Sequence, residues 1–182
     1  MLITPLIQEV SKLFPNATID LFVKGNIAPI LFKNYPNINQ IIKLPKKHFS
    51  HLIQYFSAWI TLKSKRYDLV INAVANSSSG NLATKLSNSK YKYFGNLDNE
   101  NPLASKHHDY LHIAKHSVYG LRNYLLKSND SIDNPIPWLD IKLSLAEIAS
   151  GKKALNEIVT AHDKVVSLYT YATGNKLYSS EW

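Results

Sequence analysis

The sequence predicts an α/β protein built on an open parallel sheet, and three observations carry that expectation. Leu69, Val70 and Ile71 form a continuous apolar run inside Arg66–Val74. A run without alternation reads as a strand covered on both faces, as in parallel sheets flanked by helices. The polar run Asn76-Ser77-Ser78-Ser79-Gly80 follows it directly, at the carboxyl end where open α/β sheets bind ligands. Helical and strand-like stretches then alternate on either side, as this architecture requires.

The elements follow in order. Thr4-Pro5 suits a helix start, with Thr as cap and Pro in the first turn. Leu6, Ile7, Val10, Leu13 and Phe14 recur at helical spacing up to Pro15-Asn16. Such an apolar stripe needs a sheet to cover, yet no strand precedes it. The pattern reads as an α/β unit entered after its first strand. Residues 18–23 predict a strand, 26–32 a short helix or turn, and 38–44 a strand stopped by Pro45. Residues 49–62 predict an aromatic-rich helix with Leu52, Ile53, Phe56, Trp59 and Ile60 on one side. A short helix over 81–86 and a short strand over 90–94, ending at Gly95, complete this part.

Residues 96–106 are polar and irregular. From His107 to Leu126 the stripe Leu111, Ala114, Val118, Leu121 and Leu125 predicts a helix. Residues 127–137 read as a linker, with Asp130, Asp133, Pro135 and Pro137. Residues 138–142 suggest a short extended piece. Ser144-Leu145-Ala146-Glu147 is a capping box for a helix to Thr160; Gly151 within it costs about 1 kcal/mol against Ala. A strand over 164–169, then a loop with Thr170, Thr173, Gly174, Asn175 and Lys176, leads towards Trp182.

Bulk composition narrows the function. With 182 residues and 45% apolar residues, the chain suffices for one domain or for one and part of a second. It has no Cys, which excludes disulfides and thiolate metal sites. No apolar run approaches the roughly 18 residues of a membrane span, and residues 1–6 lack signal-peptide features. A cytoplasmic location is the expectation. Residues 38–92 hold nine Lys/Arg against Asp68 alone, so this stretch carries the whole formal net charge of +8. That field suits a solvated basic face, an anionic small molecule or glycolipid, or an anionic membrane surface. Tyr91-Lys92-Tyr93-Phe94 interleaves aromatics with charge, but no nucleic-acid module motif accompanies it.

Candidate sites each have a plainer alternative. Thr170, Thr173 and Lys176 follow a predicted strand and suit a phosphate, although the spacing is not a Walker A loop; by composition alone an ordinary surface loop is the stronger reading. Asn72, Asn76, Ser77, Ser78 and Ser79 suit a sugar or phosphate, or else form a helix cap and turn. His108, His112 and His116 recur every fourth residue beside Asp109, which permits a metal pair. Without a His-Glu-x-x-His pattern they read as solvated or locally paired, and no metal site is assigned. His48 and His51, beside Lys46 and Lys47, read as basic surface. No nucleophile elbow or paired carboxylates occur, and no Gly-x-Gly-x-x-Gly turn supports a dinucleotide oxidoreductase.

The order of several segments resembles the glycosyltransferases that include the lipopolysaccharide heptosyltransferases. These are residues 2–7, Phe14-Pro15-Asn16-Ala17-Thr18-Ile19-Asp20, Tyr35-Pro36-Asn37-Ile38 through Ile42, Lys65-Arg66-Tyr67-Asp68 through Asn72, and Tyr93-Phe94-Gly95. Residues 166–182 are similar to the opening of that family's second domain, with Tyr178-Ser179 where Trp-Pro is usual. The resemblance implies the N-terminal half of a two-domain GT-B fold, Rossmann-like and lacking its first strand. Residues 1–126 would be the acceptor-side domain, 127–163 a linker and connecting helix, and 164–182 the start of the donor domain. It implies inverting transfer of a heptose or related sugar from a nucleotide sugar, such as ADP-heptose, to a glycolipid acceptor. Lys176, with Thr170 and Thr173, would hold donor phosphate, and Thr4, Asn76, Ser77, Ser78 and Ser79 would lie on the acceptor side. The family's aspartate base would fall upstream of Met1, so the expectation is a piece of a transferase inactive alone, without cofactor or nucleic-acid partner. The rival expectation is a noncatalytic basic module on an anionic glycolipid or membrane surface.

Overall fold

A computed structural model describes residues 2–46, 50–74, 76–95, 106–125, 134–160 and 164–166. The chain divides into two units, Met1–Lys142 and Leu143–Trp182. The break falls within the stretch expected to be linker, but residues 134–142 belong to the first unit.

In the first unit, α1 (Thr4–Leu13) is followed by β1 (Ile19–Lys24), α2 (Ala28–Leu31), β2 (Ile38–Leu44) and α3 (Leu52–Ser64). Then come β3 (Arg66–Ile71), α4 (Ser78–Leu86), β4 (Asn88–Tyr93) and α5 (His116–Leu125). The architecture is mixed α/β with two parallel two-stranded sheets, β1–β2 and β3–β4. In the first, Leu21 pairs with Ile41 and Val23 with Lys43, after an irregularity between Ile19 and Asp20. In the second, Leu69 pairs with Tyr91 and Ile71 with Tyr93.

Strand alternation distributes the core. Leu21, with Ile19 and Val23, packs with Ile7 of α1 and with Phe32 and Tyr35. Phe22 points the other way, against Trp59 of α3 at 5.2 Å between ring centroids. Leu6 of α1 joins the fully buried Val118 and Leu121 of α5 over Leu69 and Ile71 of β3. Helix α1 therefore covers part of both sheets. Each such buried aliphatic contributes about 1.5–3 kcal/mol relative to an exposed one. The starts of β1 and β3 are tied where Lys65 Nζ and the Tyr67 hydroxyl both donate to Asp20 Oδ2, at 2.7 and 3.2 Å.

Several expectations need correction. The helix α1 begins after Ile3, so Thr4 lies within its first turn and does not cap it. The sequence predicts β3 buried on both faces, yet its apolar residues are half-buried and, among the described residues, it has a ladder on one side only. The 107–126 helix starts only at His116; residues 108–115 form turns, with Tyr110 N–H bonding His107 O and His112 N–H bonding Asp109 O. Asp109 accepts from Lys115 and from Tyr119, and His107 stacks on Tyr119 at 4.5 Å. These ties draw the segment back on itself.

Residues 134–142 run without regular structure along α1. Gln8 donates to Trp138 O, Tyr35 to Asp140 O, and the Asp140 N–H to Thr4 Oγ1. Burial, then the Asp140 charge, pushes the Tyr35 hydroxyl up to about 12, so it stays a donor at neutral pH.

In the second unit, α6 (Leu145–Asn156) carries the expected capping box: the Glu147 N–H donates to Ser144 Oγ, and the Ser144 N–H to Glu147 Oε2. It stops short of Thr160. Residues 164–166 of the expected last strand have no regular structure, and the rest of that strand lies outside the described residues. No helix among the described residues is long and apolar enough to cross a membrane.

Candidate functional site

The polar turn after β3 is organised by Asn72, which is 6% exposed. Its N–H continues the ladder to Tyr93 O. Its carboxamide donates to Asn81 Oδ1 at 2.8 Å and to Phe94 O at 3.1 Å, and accepts from the Val74 N–H at 3.3 Å. With both ends of the amide engaged, Asn72 is a fastener joining β3, the turn, α4 and the end of β4. Two glycines make room for it. A Cβ on Gly80 would stand 2.5 Å from Asn72 Oδ1, and one on Gly95, at φ +66°, would stand 2.1 Å from Asn72 O.

The serines divide between cap and surface. Ser77 caps α4, its Oγ accepting from the Gly80 N–H at 3.0 Å and bonding Ser79 Oγ at 3.3 Å. Asn76 and Ser78 are exposed at the start of α4. Thr4 is fully buried, its hydroxyl committed to the Asp140 N–H at 3.1 Å, so it has no surface to offer a ligand. Thr170, Thr173 and Lys176 lie outside the described residues.

A groove elsewhere in the first unit was not anticipated from sequence. Of about 910 Å³, it runs between β2 and α3, its lining including Gly25, Asn26, Lys43, Lys46, His51 and Gln54. Gly25 holds φ +98° with Lys46 Cε 3.1 Å from where a Cβ would stand, so only glycine lets the lysine stem lie across this turn without strain. Two ammonium groups and an imidazole suit an anionic group. The available signal was Gly25-Asn26 immediately after an apolar strand, with Lys46 after the strand-ending Pro45.

The histidines do not converge: His108 and His112 lie in turns while His116 opens α5. No group of three His, Cys, Asp or Glu residues able to hold a metal exists among the described residues. Burial holds the His116 imidazole below its usual pKa, against a backbone hydrogen bond with His112 that favours the charged form.

Three described carboxylates of the first unit have structural places. Asp20 and Asp68 sit at the opening ends of β1 and β3. Burial raises the Asp20 pKa, but hydrogen bonds from Lys65 and Asn39 outweigh it and hold the group below the usual value. Glu9 is sealed in an ion pair with Arg122, with Nε–Oε1 at 2.7 Å. Exposed Asn76 and Ser78 at the turn, and Lys43, Lys46 and His51 in the groove, are groups whose chemistry suits a polar, anionic molecule.

Comparison of the chain with family models, with curated proteins and with solved structures found no match.

Proposed function

We propose that this chain supplies the acceptor-side part of an inverting glycosyltransferase, a Rossmann-like half of a GT-B fold, acting on an anionic glycolipid. The reading rests on the resemblance of residues 2–95 together with one structural observation. The β3 strand ends in a polar turn that leaves Asn76 and Ser78 exposed, while a groove lined by Lys43 and Lys46 runs between β2 and α3. Hydroxyl and amide groups of this kind recognise sugar hydroxyls, and Lys43 and Lys46 complement an acid or phosphate on the acceptor.

In this reading the sugar, a heptose or a relative, comes from a nucleotide-sugar donor such as ADP-heptose. Lys176, Thr170 and Thr173 would neutralise its leaving phosphate. In the resemblance the proton-accepting aspartate lies just ahead of the segment matched by residues 2–5, and on that reading the 182-residue chain alone binds acceptor without turning over. Saturable transfer by the purified chain would refute that last clause.

The experiment is an amide NMR titration with a soluble, acidic lipopolysaccharide core oligosaccharide. Expected are shifts at Asn76, Ser78 and the Gly25-Asn26 turn, and binding weakened at least ~5-fold in Asn76→Ala/Ser78→Ala, the loss of about one hydrogen bond. No shift at millimolar ligand would sink the reading.

A second reading has its own observation. On α3, Ile53, Phe56 and Ile60 are 86%, 60% and 67% exposed, and the lysines of residues 38–92 surround them in sequence. An apolar stripe with basic neighbours suits a noncatalytic module resting on an anionic membrane or glycolipid surface.

A further inference from the structure

Strand β2 has β1 on one side and, among the described residues, no strand on the other. The Gly25 N–H bonds Leu44 O, Phe22 pairs with Ile42, and Lys24 pairs with Leu44. In a parallel ladder each residue turns both backbone groups to one side, and the side alternates along the strand. Ile42 and Leu44 therefore bond towards β1, while Ile41 and Lys43 direct their N–H and C=O groups away from it. That open edge is one wall of the groove, which Gln40, Ile41, Ile42 and Lys43 line in succession. The opposite wall is one face of α3, with Gln54, Ser57, Ala58 and Thr61 at helical spacing.

An edge strand facing a helix across an open groove is the geometry that takes up an extended peptide as an added strand. Four residues of edge span roughly 13 Å, enough for a tail of about four or five residues. Charge fixes the direction in which it runs. Beyond the carboxyl end of β2 the lining holds Lys46 and His51, and no Asp or Glu lines the groove. Among the described residues no ion pair engages either side chain. A strand parallel to β2 brings its carboxyl terminus to these groups. An antiparallel one would bring an ammonium there, against the fixed charge of Lys46.

We propose that the groove receives the C-terminal tail of a partner protein as a third strand, parallel to β2, with its terminal carboxylate at Lys46 and His51. Ile41 and Lys43 pair with the backbone of the tail. Ile41 packs on the α1 side of the sheet and Ile42 on the α3 side, so the tail alternates apolar side chains with small polar ones that face Gln54, Ser57 and Thr61. The inference does not rest on glycosyl transfer. An anionic acceptor and the tail exclude each other at Lys46, whereas the strand edge serves the tail alone.

The test titrates the full chain with acetyl-Gln-Val-Thr-Val-Ser-Val carrying a free carboxyl terminus. Comparators are the same peptide amidated at that terminus and one N-methylated at alternate residues, which removes its ladder donors. Without peptide, the amides of Ile41 and Lys43 exchange faster than those of Ile42 and Leu44. Saturating free-acid peptide slows the first two by at least ~10-fold, and the N-methylated peptide leaves them unprotected. The amidated peptide binds at least ~10-fold more weakly than the acid, and Lys46→Gln removes most of that difference. Equal affinity of the acid and amidated forms overturns the proposal, as does no protection at roughly millimolar peptide. So does slow exchange of Ile41 and Lys43 in the chain alone, where light scattering would reveal a second copy on the edge. The core-oligosaccharide titration reads Asn76 and Ser78 instead, so its failure sinks acceptor binding and leaves protection of Ile41 and Lys43 standing.

Discussion

Arg122 is wholly buried, yet its guanidinium meets Glu9, 113 positions away in sequence, through two hydrogen bonds at 2.7 and 2.9 Å. Its remaining donors reach Asn134 O and Pro135 O, so one guanidinium ties α1, α5 and the 134–142 segment together. Removing only the Glu9 carboxylate takes its opposite charge and two hydrogen bonds from a guanidinium that stays buried. Glu9→Gln is expected to lower unfolding free energy by about 3–5 kcal/mol in urea titrations, while Glu9→Leu/Arg122→Met regains most of that loss. Nothing in the sequence paired these residues, because ion-pair partners so far apart leave no periodic signal. His116 gives a second residue-level outcome. Its folded pKa lies below the unfolded 6.5, so the unfolded chain binds the extra proton first. Stability contributed by the neutral ring is present above 6.5 and declines as pH falls from there towards the folded value. Replacing His116 by Asn should flatten the fall of Tm between pH 7 and 5.5; an unchanged slope would show that other groups govern it.

At the scale of elements, glycine separates the positions that need a bare backbone from those that do not. Around Gly151 a Cβ would meet nothing within 4 Å, and α6 is exposed throughout. Gly151→Ala should therefore raise helix content and stabilise α6 by up to about 1 kcal/mol, read by circular dichroism during heating. Gly95→Ala should do the reverse, because the new methyl would strike Asn72 O and the residue sits at positive φ. A loss of about 1–3 kcal/mol is expected from that strain, with the Asn76 and Ser78 amide signals shifting as the fastener loosens. Legibility tracked the same division. The capping box at Ser144 and the strands around Leu21, Ile42 and Leu69 were readable because cap chemistry and apolar runs are local. The 107–115 turns were not. Leu111 and Ala114 keep helical spacing, but Leu111 is 56% exposed, and the fold there follows Asp109, Lys115 and Tyr119, a constellation invisible as a pattern. The cap at Ser77 was legible as the alternative to a ligand site, whereas the fastening role of Asn72 depended on partners supplied by α4 and β4.

For the whole molecule, the sequence conveyed the parallel α/β class but not how the sheet is divided. Leu69-Val70-Ile71 announces a strand made for cover on both faces and both edges, and composition cannot say whether a neighbour stands beside it. Charge is the other whole-molecule property, with +8 concentrated over residues 38–92 and the α3 apolar stripe within that stretch. An interfacial helix gains from apolar insertion, while each lysine near an anionic surface adds about 1 kcal/mol that salt screens away. The chain should therefore cosediment with vesicles containing phosphatidylglycerol but not with purely zwitterionic ones. Binding should weaken roughly tenfold between 0.05 and 0.5 M salt. Because Ile53, Phe56 and Ile60 are exposed, replacing all three by Ser should leave Tm nearly unchanged while abolishing binding. If the triple variant binds as tightly as the parent, the apolar stripe has no part in it and the attraction is charge alone. If neither protein binds at low salt, the membrane-surface reading fails and the basic stretch is left to acceptor recognition.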